Sequence, residues 1–104
     1  MTTHASTHAR AFSLPAEVCI HEAAALKAAL PDPGGLAAAV DLDASAVTDI
    51  DLAGVQLLLA WTRAVRAGGH DTRLVQPSRT VADALQLLGL AAEFGLGGPG
   101  VEAS

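Results

Sequence analysis

Aromatic residues and cysteine are scarce in this chain. Its 104 residues include two Phe, one Trp and no Tyr, although 51% of them are hydrophobic. Such a chain offers little surface for stacking bases or sugars, so we expect an aliphatic core. The single cysteine, Cys19, excludes an intrachain disulfide and is typical of a reducing, cytoplasmic compartment. Its neighbours Val18 and Ile20 predict that Cys19 lies in a strand as a small hydrophobe.

Positive charge and long apolar runs are also lacking. Six Lys and Arg residues are scattered singly against eleven Asp and Glu, which gives a formal net charge of −5. Without a basic stripe to neutralise phosphates, we expect no binding to nucleic acid. The apolar run from Val55 to Trp61 is interrupted by Gln56 and falls far below the ~20 residues that cross a bilayer. The sequence predicts no membrane span, and its polar start lacks the apolar segment of a secretory signal.

The two ends of the chain differ in composition from its middle. Residues 1–10 are rich in Thr, His and Ala, and residues 97–104 read GGPGVEAS. Neither end can bury much surface, so both are predicted to be flexible tails. The chain is long enough for one domain with one core but too short for two, and the predicted domain spans residues 11–96.

Between the tails, strand-like and helix-like segments alternate. Helices are predicted at residues 22–30, 51–67 and 80–88, and strands at 12–14, 18–20, 37–42, 72–75 and 94–96. The first two strands are predicted to form a hairpin across Pro15. Pro31, Gly68 and Gly89 are predicted to end the three helices. This order predicts an α/β fold, a mixed and mostly parallel sheet of four to five strands covered by about three helices.

The most informative stretch runs from Val40 to Leu58 and reads VDLDASAVTDIDLAGVQLL. It resembles the signature of the STAS family of sulfate-transporter and anti-sigma-antagonist domains: a strand with Asp, a Val-Thr turn, an Ile-Asp pair, a Gly and a run of Leu. The matching residues are Asp41, Val47, Thr48, Ile50, Asp51, Gly54, Leu57 and Leu58. The resemblance covers about residues 12–96, since a Gly-Gly pair before a strand and the end of the last helix are also similar.

The resemblance implies a STAS-like fold and a regulatory module that binds proteins, without enzymatic activity, cofactor or metal. In the regulated anti-sigma antagonists, a partner kinase phosphorylates a Ser or Thr directly after the motif Asp. Here that position is Leu52, which cannot accept a phosphoryl group. We therefore expect docking to a kinase-type anti-sigma factor without phosphorylation.

Two other partners stay open. Small bacterial members of the family with runs similar to Gly54-Val55-Gln56-Leu57-Leu58 also belong to lipid-transport and chemotaxis systems. The chain is then an accessory subunit of a lipid-transport ATPase, or a chemotaxis-linked regulator. Ser45 and Thr48 lie near the motif and stay open as displaced phosphorylation sites.

The start of the 51–67 helix is the predicted binding surface. Asp51 stands where an N-cap belongs, and Gly54 lets the first turn approach a neighbouring backbone. Asp41 and Thr48, like Gly54, are predicted to have structural roles in the motif. A well-capped helix without a partner explains Asp51 and Gly54 equally well.

The periodicity of this helix assigns its faces. At 100° per residue, one arc is predicted to pack on the sheet; it contains Gly54, Leu57, Leu58, Trp61, Ala64 and Val65. A ridge of Leu52, Val55 and Leu59 falls outside that arc and is predicted to be exposed. Together with Asp51 and Gln56, this ridge forms the predicted partner-binding site. The alternative is that the loop at Asp32–Leu36, or the N-terminal tail, covers the ridge.

An acidic cluster suggests an alternative hypothesis, in which the protein is an enzyme. Asp41, Asp43, Asp49 and Asp51 lie close in sequence, and carboxylates after a parallel strand can hold Mg²⁺ or accept a phosphoryl group. However, no Lys lies nearby and no nucleotide-binding loop is present. Solvated loop acids and one helix cap explain the cluster with fewer assumptions.

Overall fold

The computed structural model describes residues 10–36 and 38–96, which form five strands and three α-helices. In chain order these are β1 (Arg10–Ser13), β2 (Glu17–Val18), α1 (Ala23–Ala29), β3 (Val40–Asp43), β4 (Asp49–Ile50), α2 (Leu52–Ala67), β5 (Leu74–Val75) and α3 (Arg79–Leu87). Three short 3₁₀ segments lie at Ile20–Glu22, Pro33–Gly35 and Ala92–Phe94. The first strand begins at Arg10, the last residue of the predicted N-terminal tail. The rest of that tail, residue 37 and the predicted C-terminal tail lie outside the described residues.

The strands form two parallel sheets. One has the order β1-β3-β5, with Arg10 opposite Val40 at one edge and Leu42 opposite Leu74 at the other. The second pairs β2 with β4. The predicted α/β class, with a mostly parallel sheet and about three helices, is confirmed. The five strands are divided three and two between the sheets, and all pairings in the described part of the chain are parallel.

The predicted hairpin between the first two strands is wrong. Pro15 does not reverse the chain; it lies where the chain passes from one sheet to the other. The Leu14 N–H donates to the Asp43 carbonyl at 2.8 Å, which extends the pairing of β1 with β3. The Ala16 carbonyl then accepts from the Thr48 N–H at 2.8 Å, next to the pairing of β2 with β4. Each strand therefore finds its partner about thirty residues away, which local turn chemistry cannot reveal.

Two further local predictions are wrong. Residues 94–96 form no strand, because the chain makes a 3₁₀ turn ending at Gly95, whose φ of +78° is left-handed. A strand is not needed to bury Phe94, which lies fully inside the core. Cys19 lies just beyond β2, at the start of a 3₁₀ turn, and is half-buried because the sheet pairing stops at Val18.

The core is mostly aliphatic, as expected, with Phe94 and Trp61 as its aromatic members, and polar bonds hold the helices to the loops around it. Its fully buried side chains include Leu42, Leu58 and Phe94. The Trp61 indole N–H donates to the Pro31 carbonyl at 2.7 Å, which fixes the loop after α1 against α2. At the far end of α2, the Arg66 guanidinium donates to the carbonyls of Thr72 and Glu93. Among the described residues, no helix is long and apolar enough to span a membrane.

Candidate functional site

The start of α2 is held by one carboxylate that joins two segments of the chain. Asp51 Oδ1 accepts from the Gly54 N–H at 2.9 Å, and Oδ2 accepts from the Ile20 N–H at 2.9 Å. The first of these bonds confirms the predicted N-cap. The N–H groups of Gly54 and Ile20 hold the pKa of the Asp51 carboxyl below its ordinary value, because they stabilise the charged form. Asp51 therefore fixes the segment at Ile20 against the first turn of α2.

Gly54 allows α2 to lie directly on β2. A Cβ atom at this position would stand 1.9 Å from the Val18 carbonyl oxygen and 2.7 Å from the Val18 carbonyl carbon. Only a residue without a side chain fits at that distance. This contact sets the height of the whole first turn, and with it the position of Leu52.

The other two motif residues lie in the strands and loops below the helix. Thr48 is exposed, and its hydroxyl donates to the Ala16 carbonyl at 3.2 Å. Asp41 lies on β3 with 5% of its surface exposed, and its Oδ2 is 3.8 Å from Arg73 Nε. Both residues lie outside α2. Their structural roles in the motif therefore stay a prediction.

The predicted exposed ridge on α2 is wrong at Val55 and only partly right at Leu59. Leu52 is 56% exposed, but Val55 is 1% exposed and Leu59 is half-buried. The buried arc of α2 is rotated by about 60° from the predicted one at 100° per residue. On that side of the helix, Val55 shares a cleft with Ala84 of α3 and with Leu88, which directly follows α3.

The predicted inner arc shifts accordingly. Ala64 is exposed and Leu57 half-buried, because both face the groove beside α1. Thr62, which the periodicity did not assign to the core, is buried. The loop at Asp32–Leu36 lies against the side of α2 at Trp61 and Ala64, so it does not cover Leu52.

The structure brings other leucines to Leu52. A cleft of about 220 Å³ beside Leu52 is lined by Ile50, Asp51, Leu52, Val55, Ala84, Leu87 and Leu88. Leu87 is 88% exposed and Leu88 45%, and Ile20, tied to Asp51, is 63% exposed. These are the large hydrophobic side chains exposed in the described part of the chain. We call the apolar patch the three leucines that line this cleft, Leu52, Leu87 and Leu88, together with Ile20, whose N–H is bonded to Asp51.

Sequence reasoning did not find the α3 part of this patch, although a signal was present. The buried stripe of α3 consists of Val81 and Leu85, one turn apart. Leu87 lies about 120° away from that stripe at 100° per residue, so it has no place in the core. A single exposed leucine is ordinary, but beside Leu52 and Leu88 it extends a contiguous apolar surface, which is typical of an interaction site. Gln56, the remaining predicted binding residue, is exposed on the outer side of α2.

The acidic residues do not gather into a metal site. Asp43 Oδ1 accepts from the Ser45 N–H at 2.9 Å, and that bond, with a second from the Ser45 side chain, lowers the pKa of its carboxyl. Asp43 ends a strand of the three-stranded sheet, whereas Asp49 lies in the two-stranded sheet. Within residues 10–36 and 38–96, no three His, Cys, Asp or Glu side chains are grouped as metal ligands. The geometry of these residues gives no support to the hypothesis of a metal site.

The comparison with known families agrees with the motif. A family model described as "Mlab, STAS domain" matches residues 1–97. No curated protein matches the chain. Because the family match covers nearly all of the 104 residues, this chain belongs to the STAS domain family.

Proposed function

We propose that this STAS domain is a bacterial, cytoplasmic regulator of the anti-sigma antagonist type, which binds a kinase-type anti-sigma factor through the apolar patch. One observation carries the proposal. An exposed leucine, Leu52, occupies the first position of α2, where the resemblance places the phosphorylated Ser or Thr. An apolar side chain held there by the Asp51 cap supports contact with a partner and cannot carry a phosphoryl group.

The energetics of the apolar patch support partner binding. Full burial of a leucine or isoleucine side chain contributes about 1.5–3 kcal/mol. A partner that covers Leu52, Leu87 and Leu88 gains several kcal/mol of binding free energy before the costs of association are subtracted. A few such anchor side chains supply most of the binding energy in most interfaces. An isolated monomer gains nothing from the parts of these side chains that stay exposed to water.

Docking through Leu52 is independent of phosphorylation. In a titration with the purified kinase-type anti-sigma factor, preincubation of the two proteins with ATP should leave the affinity unchanged. Mass spectrometry should find no phosphopeptide between residues 45 and 60. The control is Leu52→Ser, which restores a hydroxyl at the acceptor position and should become phosphorylated. Stoichiometric modification of wild type at Ser45 or Thr48 would refute phosphorylation-independent docking.

The domain has no catalytic activity of its own in this proposal. The acids of the motif are spread over two sheets, and the sequence has no loop that cradles a nucleotide phosphate. Calorimetric titration of the isolated chain with ATP or GTP, with and without Mg²⁺, should show no binding. Micromolar binding that disappears in Asp41→Asn or Asp51→Asn would favour the enzyme instead.

The same patch suits the two other partner classes. As an accessory subunit of a lipid-transport ATPase or as a chemotaxis-linked regulator, the domain would also dock without a hydroxyl at position 52. The candidate anti-sigma factor, transporter ATPase and chemotaxis kinase encoded in the source genome are therefore titrated in parallel against wild type and Leu52→Glu. The physiological partner is the one whose affinity the substitution lowers.

A further inference from the structure

Carboxylates surround the Ile20 and Leu52 side of the apolar patch. Glu17 and Asp49 lie opposite each other where β2 pairs with β4, and both are exposed. Two exposed carboxylates at paired positions make this edge of the sheet locally negative, which favours the approach of a cation.

The chain places two acids beside the patch, since Asp49 precedes Ile50, which lines the cleft, and Glu22 lies in the 3₁₀ turn that begins at Ile20. Partial burial raises the pKa of the Cys19 thiol, and the nearby charges of Asp49, Asp51 and Glu22 raise it further. Cys19 precedes Ile20, a member of the patch, so the same carboxylates stand beside the patch. The Asp51 carboxylate accepts from two N–H groups and Asp49 shares a hydrogen bond with the Cys19 thiol, while Glu17 and Asp49 are both exposed to solvent.

The Lys and Arg side chains lie elsewhere on the described surface. Arg63 and Arg66 contact Glu93, and Arg73 lies beside Asp41. Lys27 lines the groove between α1 and α2, and Arg79 begins α3 at the end remote from Leu87. None of the six Lys and Arg residues, all of which the structure describes, is among the residues that line the patch cleft.

We infer that the partner surface is apolar at its centre and carries Lys or Arg at its rim, so that leucine-like side chains meet the apolar patch while cations approach Glu17, Asp49 and Glu22. This inference rests on the proposed function and specifies its partner chemically. A second copy of the chain does not fit this description, because no Lys or Arg lines its own patch cleft to meet these acids.

The test uses two synthetic amphipathic helical peptides with the same leucine face, one flanked by Lys and Arg and the other by Glu. Each is titrated into the isotope-labelled full chain and followed by NMR. The cationic peptide should bind about tenfold or more tightly than the acidic one and shift the amide signals of Ile20, Leu52, Leu87 and Leu88. Leu52→Glu should abolish those shifts.

A matched pair of charge reversals distinguishes the effect on peptide affinity of the acids beside the patch from the effect of the net charge of −5. Asp49→Lys should weaken the cationic peptide about fivefold and reduce its salt dependence. Asp71→Lys changes the net charge by the same amount. Asp71 is exposed beyond the far end of α2, about 24 Å along the helix, so this substitution should change the peptide affinity by less than about twofold. Any of four results would overturn the inference: equal affinities of the two peptides, equal effects of the two charge reversals, NMR shifts outside the patch, or no binding at all. If the kinase-type partner still loses affinity in Leu52→Glu, the proposed function survives that failure.

Discussion

At the residue scale, Gly54 is the described glycine at which an added Cβ would meet the closest neighbour. The contact with the Val18 carbonyl leaves no room for a methyl group. Gly54→Ala should destabilise the protein by about 3 kcal/mol, since the helix must move off β2, although alanine favours helix. The measurement is chemical denaturation. Gly68→Ala is the control: its φ is −83° and its Cβ would meet its nearest neighbour at 3.5 Å, so it should stay within about 1 kcal/mol of wild type. Equal losses in both variants would contradict the close approach at Gly54.

Asp51 links pH to stability. Its folded-state pKa is below the ordinary value, so its contribution is present above the unfolded pKa of about 3.9 and is lost as pH falls through the folded pKa. Asp51→Asn keeps an N-cap oxygen without the charge. The free-energy difference between wild type and this variant, measured by denaturation, should be constant near neutral pH and shrink below about pH 4. A difference that does not change with pH would show that the carboxylate's charge does not hold the Ile20 segment.

At the scale of elements, Val55 and Leu52 lie in neighbouring positions of α2 beside the cleft that α3 helps to line, but only Val55 is buried. Val55→Ala removes packing against the cleft that α3 lines and should cost about 2 kcal/mol. Leu52→Ala, one turn earlier and more than half exposed, should change stability by less than about 0.5 kcal/mol. Both changes place alanine in the same helix, so helix propensity affects the comparison little. Denaturation curves in which Leu52→Ala costs as much as Val55→Ala would place Leu52 in the core.

The elements also show what the sequence can and cannot predict. The α2 bounds, its Asp51 cap and the stop at Gly68 follow from capping preferences and helical periodicity, which are local properties. The hairpin prediction failed because β1 and β2 pair with strands about thirty residues away. Val55 was misassigned because periodicity defines a face but not which neighbouring element covers it. In the sequence, the patch residue Leu87 was recognisable only as an apolar residue outside the buried face of α3. That face alone does not indicate a binding surface; the position of α3 beside α2 is also needed.

At the scale of the whole molecule, the fold separates stability from docking. The helices and parallel sheets bury the aliphatic core, while the Asp51 cap and the Gly54 contact present one end of α2 and one end of α3 as a single apolar surface. Acidic side chains stand on one side of that surface and the cations stand elsewhere. The central claim is that this end of the molecule binds a protein partner without a phosphorylation switch.

The most direct test is a binding titration of Leu52→Glu against wild type with the purified kinase-type anti-sigma factor. A carboxylate at the first turn of α2 meets the positive end of the helix dipole, a favourable ~0.3–1 kcal/mol, so denaturation should show near-wild-type stability. In the complex, the same carboxylate loses water against an apolar surface, and the affinity should fall about a hundredfold. Ala60→Glu, exposed two turns further along α2, is the control and should bind normally. A stable Leu52→Glu variant with unchanged affinity would contradict the account.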